Sequence, residues 1–114
     1  MTDLVLIACL CADWCGVCRE FRGLFDAAAA ANPALRFAWI DIEDHPEVAG
    51  EVDIETFPTL LASSAGGRGF FGAIEPREAV LQALIDNLLR GAFLPDAQVA
   101  VLNQRARAHL AALG

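Results

Sequence analysis

The chain of 114 residues contains no lysine, and its eight basic residues are all arginine against fifteen acidic ones. The resulting net charge of −7 argues against a nucleic-acid partner, because polyanion binding rests on clustered cationic side chains. No apolar run approaches the ~20 residues of a membrane span. The sequence shows no repeat and no low-complexity linker. No cysteine lies outside one stretch of ten residues that holds all four, Cys9, Cys11, Cys15 and Cys18. A secreted disulfide scaffold spreads its cysteines to staple distant loops, so that class is disfavoured. Leu6-Ile7-Ala8-Cys9 has the outline of a lipidation box. However, no basic segment precedes it, Asp3 stands where a positive charge belongs, and the apolar run is short. A protein of a reducing, cytoplasmic compartment is the expectation, with no membrane association.

What remains is apolar-rich, 56% hydrophobic, and long enough for one domain with a real core. Leu4 to Ala12 is nearly continuous in apolar residues, the mark of a strand buried on both faces. A helix is predicted over 15–31, with Val17, Phe21, Leu24, Phe25 and Ala28 as its core stripe, ended by Asn32-Pro33. Strands are predicted over 35–42, 59–62 and 69–74. Ser63 to Gly67 reads as a turn, and Pro46 opens a short helix through about Val52. A helix starts at Glu75-Pro76-Arg77-Glu78 and stops at Gly91. The order predicts an α/β fold, a minimal four-stranded mixed sheet flanked by helices.

After Leu94-Pro95 a further helix is predicted, with Asp96 as its cap and Val99, Leu102, Ala106, Leu110 and Leu113 as its apolar stripe. Arg105 and Arg107 suit the negative end of its dipole. The division is a domain over 1–93 and a C-terminal helical extension over 94–114 that docks on it. A monomer is expected rather than a homodimer.

Cys15 and Cys18 carry the chemistry. Two cysteines separated by two residues close a small disulfide ring. A helix start favours the thiolate of the first, because unpaired N–H groups and the helix dipole stabilise negative charge there. Cys9 and Cys11 lie inside a strand and face one side of it. Their plain reading is packing; the sharper one makes Cys9 a secondary disulfide partner or relay. All four sulfurs together outline a soft-metal set, but such sites draw ligands from loops rather than from a strand interior, so no metal is assigned. His45 reads as solvated in a polar turn, His109 as surface and Trp39 as core.

Ala12-Asp13-Trp14-Cys15-Gly16-Val17-Cys18 resembles the A-x-W-C-G-P-C stretch of the thioredoxin family. Phe57-Pro58-Thr59-Leu60 resembles its x-P-T-L segment, and Gly72-Ala73 a glycine-containing pair in its last strand. The resemblance covers residues 4–90. It implies a thioredoxin-like fold and a protein-disulfide oxidoreductase without an organic cofactor. Cys15 would attack and Cys18 would resolve. Substrate would dock against Trp14, Val17, Phe57, Pro58 and Thr59, with Pro58 in a cis peptide. The implied partners are protein disulfides and an upstream reductase or small thiol.

Four departures qualify the resemblance. Cys9 and Trp39 stand where the family has a buried Asp and its Lys. Val17 replaces the motif Pro. Gly23 replaces a kinking Pro. The sequence opens at the active-site strand. The alternative reading is a binding or assembly module of the same fold whose two-cysteine motif is a sensor or a vestige.

Overall fold

The protein is described by a computed structural model over residues 5–11, 16–52, 54, 58–64 and 66–112. The elements run β1 (Val5–Cys11), α1 (Gly16–Ala31), β2 (Arg36–Asp41), α2 (Pro46–Ala49), β3 (Thr59–Ser64), β4 (Gly69–Ala73), α3 (Glu78–Leu89) and α4 (Ala97–Ala112). The sheet order is β2-β1-β3-β4. β1 is parallel to β2 and antiparallel to β3, and β4 is antiparallel to β3. This is the mixed four-stranded sheet that the pattern of apolar runs predicts.

β1 is central, and its period-two alternation assigns its side chains to two cores. Ile7, Cys9 and Cys11 face α1 and α3, where they meet Cys18, Phe21, Phe25, Leu81, Leu84, Ile85 and Leu88. Leu6, Ala8 and Leu10 face the other way, onto Val48 of α2 and Val99, Leu102 and Ala106 of α4. β1 is fully buried from Leu6 to Cys11. Removing a large side chain at the centre of either layer, such as Phe21, costs about 3–5 kcal/mol by lost transfer energy and the cavity left behind.

The C-terminal helix therefore supplies, with Val48 of α2, the helical cover of one layer of the core. Asp96 caps it as expected, its carboxylate accepting from the Val99 N–H at 3.0 Å. Leu110 packs at the edge of the same cluster; Leu113 lies outside the described residues. Arg107 donates from Nε to Asn103 Oδ1 at 2.7 Å, and Arg105 does more than face the dipole. Arg105 donates to the Ala49 carbonyl at 3.1 Å and to Glu51 at 3.0 Å, tying α4 to the end of α2. Gly50 has a positive φ of 59°, and a Cβ there would press on the Arg105 guanidinium carbon at 2.9 Å. The backbone conformation calls for glycine. The Glu51 carboxyl is held below its usual range, by a hydrogen bond within its own residue and then by Arg105. Its contribution is thus present above the ordinary glutamate range and fades as pH falls through the lowered value.

Several boundaries move. β3 runs to Ser64, two residues into the stretch read as a turn. Ser63 is buried there because its hydroxyl has a partner: it donates to Asn103 Oδ1 of α4 at 2.8 Å. The α2 helix is four residues, and α3 begins at Glu78 after an extended Arg77. Val17 is not a core residue of α1, being 41% exposed. Trp39 is half-buried at the rim rather than in the core, edge-on to Phe25 at 5.6 Å with the Arg22 guanidinium 4.7 Å from its ring centroid. His109 is not a surface residue, its side chain being only 8% exposed.

The Ser63–Asn103 bond generates a test. Asn103→Ala deprives a buried hydroxyl of its acceptor and should lower stability by about 1–3 kcal/mol. Urea unfolding reads this as a fall in midpoint. The added change Ser63→Ala should recover part of the loss, and an unchanged midpoint in the single variant would refute the account.

Candidate functional site

The site lies at the C-terminal end of β1, where the chain turns into α1. A buried strand ending in a helix start brings sulfur-bearing residues from two elements to one place. Cys9 and Cys11 project from the face of β1 that meets α1. Cys18 is the third residue of α1 and is 1% exposed, because the first turn of the helix presses its inner side onto that face.

Cys11 and Cys18 are joined by a disulfide, with Cα atoms 6.2 Å apart, a separation ordinary for such a bond. Cys9 is the free thiol of the described set, and its Sγ lies 3.4 Å from Cys11 Sγ. Three sulfurs therefore form a contiguous buried row. Sequence reasoning placed Cys9 and Cys11 on one face but left Cys11 to packing. Its pairing with Cys18 depends on how the first turn of α1 crosses the strand end, which spacing does not reveal. Cys15, Trp14 and Phe57 lie outside the described residues, and so does the expected peptide geometry between Phe57 and Pro58.

Pro58 and Thr59 are placed by sheet register. Leu10 pairs with Thr59, the last step of the antiparallel ladder, so Pro58 stands just beyond it at the Cys11 end of β1. Both residues are buried. The Pro58 carbonyl accepts from the Ile74 N–H at 3.1 Å, and Thr59 pairs with Ala73, so β4 braces this corner. Of the residues assigned to substrate docking and described here, Val17 alone presents an exposed side chain.

Electrostatics separates the sulfurs. Burial pushes the Cys9 thiol up from 9.0 to about 12, against a smaller opposing pull from the Arg22 cation. Desolvation disfavours the thiolate, and a protonated thiol is a poor nucleophile. Cys9 thus rests as a neutral thiol beside a disulfide that it does not readily attack.

A family model described as Thioredoxin matches residues 1–87. A protein of Streptomyces coelicolor provisionally named thioredoxin 2 is 44% identical over 50 residues, covering 44% of this chain and 37% of its own length. A thioredoxin of Porphyra purpurea is 33% identical over 67 residues, covering 58% of this chain and 63% of its own. The chain thus spans less than two thirds of the curated relatives it matches. Among solved structures, Fasciola hepatica thioredoxin superposes with a TM-score of 0.67 at 23% identity, over 75% of this chain and 83% of that one, a likeness of fold.

The state of Cys9 is directly testable. With a thiol pushed to about 12, the native protein should resist iodoacetamide at Cys9 at pH 8 and react there on unfolding in urea. Mass spectrometry of the labelled peptide reads the difference. Comparable labelling of Cys9 in native and unfolded protein would contradict its burial and its raised pKa.

Proposed function

The chain belongs to the thioredoxin family, and on that premise we propose that it is a thiol–disulfide oxidoreductase working on protein disulfides through a Cys15/Cys18 cycle. In the reducing direction the Cys15 thiolate attacks one sulfur of a substrate disulfide. A mixed disulfide forms and the other substrate sulfur leaves as a thiolate. Cys18 then attacks Cys15 Sγ, releases the second substrate thiol and leaves Cys15–Cys18 oxidised. Two electrons pass to the substrate, and an upstream reductase or small thiol returns them. No organic cofactor takes part. The observation that supports this most is the match of the Thioredoxin family model over residues 1–87, with Cys18 placed in the first turn of α1 beside the end of the central strand.

Substrate docking is assigned to Trp14, Val17, Phe57, Pro58 and Thr59. The exposure of Val17 suits direct contact, while the burial of Pro58 and Thr59 suits a role in shaping the corner. The active form is a monomer whose C-terminal extension, 94–114, belongs to the same folded unit. A cytoplasmic location accords with the reducing role.

The Cys11–Cys18 bond favours one addition to this cycle. Cys11 competes with Cys15 for Cys18. In the oxidised protein the Cys11 thiolate attacks Cys18 Sγ, forms the Cys11–Cys18 bond and releases Cys15 as a thiolate. This is an isomerisation that consumes no oxidant. It parks Cys18 with a buried partner and leaves Cys15 as a lone nucleophile that cannot complete turnover.

Thiol mapping across a glutathione redox series, paired with a protein-disulfide reduction assay, tests both parts. Turnover should fall to background in Cys15→Ala and in Cys18→Ala. Wild type should show Cys15–Cys18 and Cys11–Cys18 together at oxidising poise. Cys11→Ala should keep turnover and show Cys15–Cys18 alone. Absence of a Cys15–Cys18 disulfide at every poise, with no turnover, would overturn the enzyme in favour of a binding module. Absence of Cys11–Cys18 in an active wild type would overturn only the added step.

A further inference from the structure

Away from the sulfurs, His45, Glu47 and His109 meet where the start of α2 touches the last turn of α4. His45 occupies the N-cap position of α2, yet its side chain makes no capping hydrogen bond. Glu47 lies in the first turn of that helix, and His109 in the last turn of α4. The two imidazole rings are 4.3 Å apart between centroids. One carboxylate oxygen, Glu47 Oε2, lies 3.7 Å from His45 Nδ1 and 3.5 Å from His109 Nδ1.

These separations are long for hydrogen bonds, which for N–H···O run about 2.7–3.2 Å. They are close to the edge of a coordination tetrahedron. Ligand atoms bound to one zinc ion at about 2.0–2.1 Å stand about 3.4 Å from one another. One ligand atom from each of the three residues falls within 4.8 Å of the other two. Small side-chain rotations would thus bring all three onto one ion. The His109 side chain, 8% exposed, is already held by the packing of α4, while His45 at 40% and Glu47 at 63% border solvent. The arrangement has one ordered ligand and two adaptable ones.

We propose that His45, Glu47 and His109 form a binding site for a divalent transition-metal ion of the zinc class. Two imidazole nitrogens and one carboxylate oxygen are a borderline donor set. It suits zinc, and also cobalt, nickel or copper in the divalent state, better than calcium or magnesium, which take mostly oxygen ligands. Three protein ligands leave a fourth position for water on the exposed side. The ion would join α2 to α4 one turn beyond the Arg105 contacts to Ala49 and Glu51, and so clamp the helix that covers the second core. Arg105 and the carboxylate of Glu51 pair with each other nearby, leaving Glu47 as the anionic ligand.

The test titrates zinc into chelator-stripped protein and follows binding by calorimetry and the unfolding midpoint by circular dichroism. Because the cysteines are an alternative zinc site, Cys15→Ser and Cys18→Ser are titrated beside His45→Ala and His109→Gln. The proposal expects one equivalent bound and a raised midpoint in wild type and both cysteine variants. It expects affinity weakened more than about tenfold in His45→Ala and His109→Gln. His45→Ala alters a partly exposed side chain, so a folded variant is available whatever His109→Gln does to packing. No binding by wild type overturns the site. Binding that persists in His45→Ala but disappears in the cysteine variants assigns the ion to sulfur and also overturns it.

Discussion

Burial of β1 on both faces is the constraint on which the rest of the structure depends. A central strand must satisfy its backbone on both edges and its side chains on both faces. β2 and β3 supply the edges, α1 with α3 one face, and α2 with α4 the other. Because side chains alternate, the same constraint that buries Leu6, Ala8 and Leu10 on one side presents Cys9 and Cys11 on the other. The sulfur chemistry is thus a by-product of strand geometry meeting the first turn of α1.

Position along β1, and not depth, then differentiates the described sulfurs, all of which are buried. Cys9 lies farthest along the strand from α1's first turn and is kept protonated by desolvation. Cys11, at the strand end, comes within bonding reach of Cys18. Pro58 and Thr59 close the corner because the β1–β3 register runs out at that point, and β4 holds them in place. Family membership accounts for the fold around this corner, and Cys9 and Cys11 place two further sulfurs beside Cys18 in it.

The second layer is less tied to chemistry and more to coverage. α4 buries Val99, Leu102 and Ala106, and its polar links are specific: Asn103 to Ser63, Arg105 to Ala49 and Glu51, Asp96 to its own first turn. The links fix the angle of the helix, whereas the apolar contacts supply its affinity for the sheet. The histidine pair at its end lies on the same seam.

The sequence by itself determined the element order and the sheet class. Those properties are written in local periodicity, in Pro and Gly punctuation and in motif spacing, each of which acts over a few residues. Even the presence of the tail helix was legible, from Asp96 as its cap and the stretch free of Pro and Gly that follows. Tertiary structure alone decided which sulfur meets Cys18, that Ser63 is strand and not turn, that Trp39 sits at a rim, and that the His109 side chain is largely covered beside His45 and Glu47. Each of these depends on contacts between residues distant in sequence or on the angle at which a helix crosses a strand. Neither periodicity nor spacing encodes such an angle, because it emerges only when all the layers are packed together.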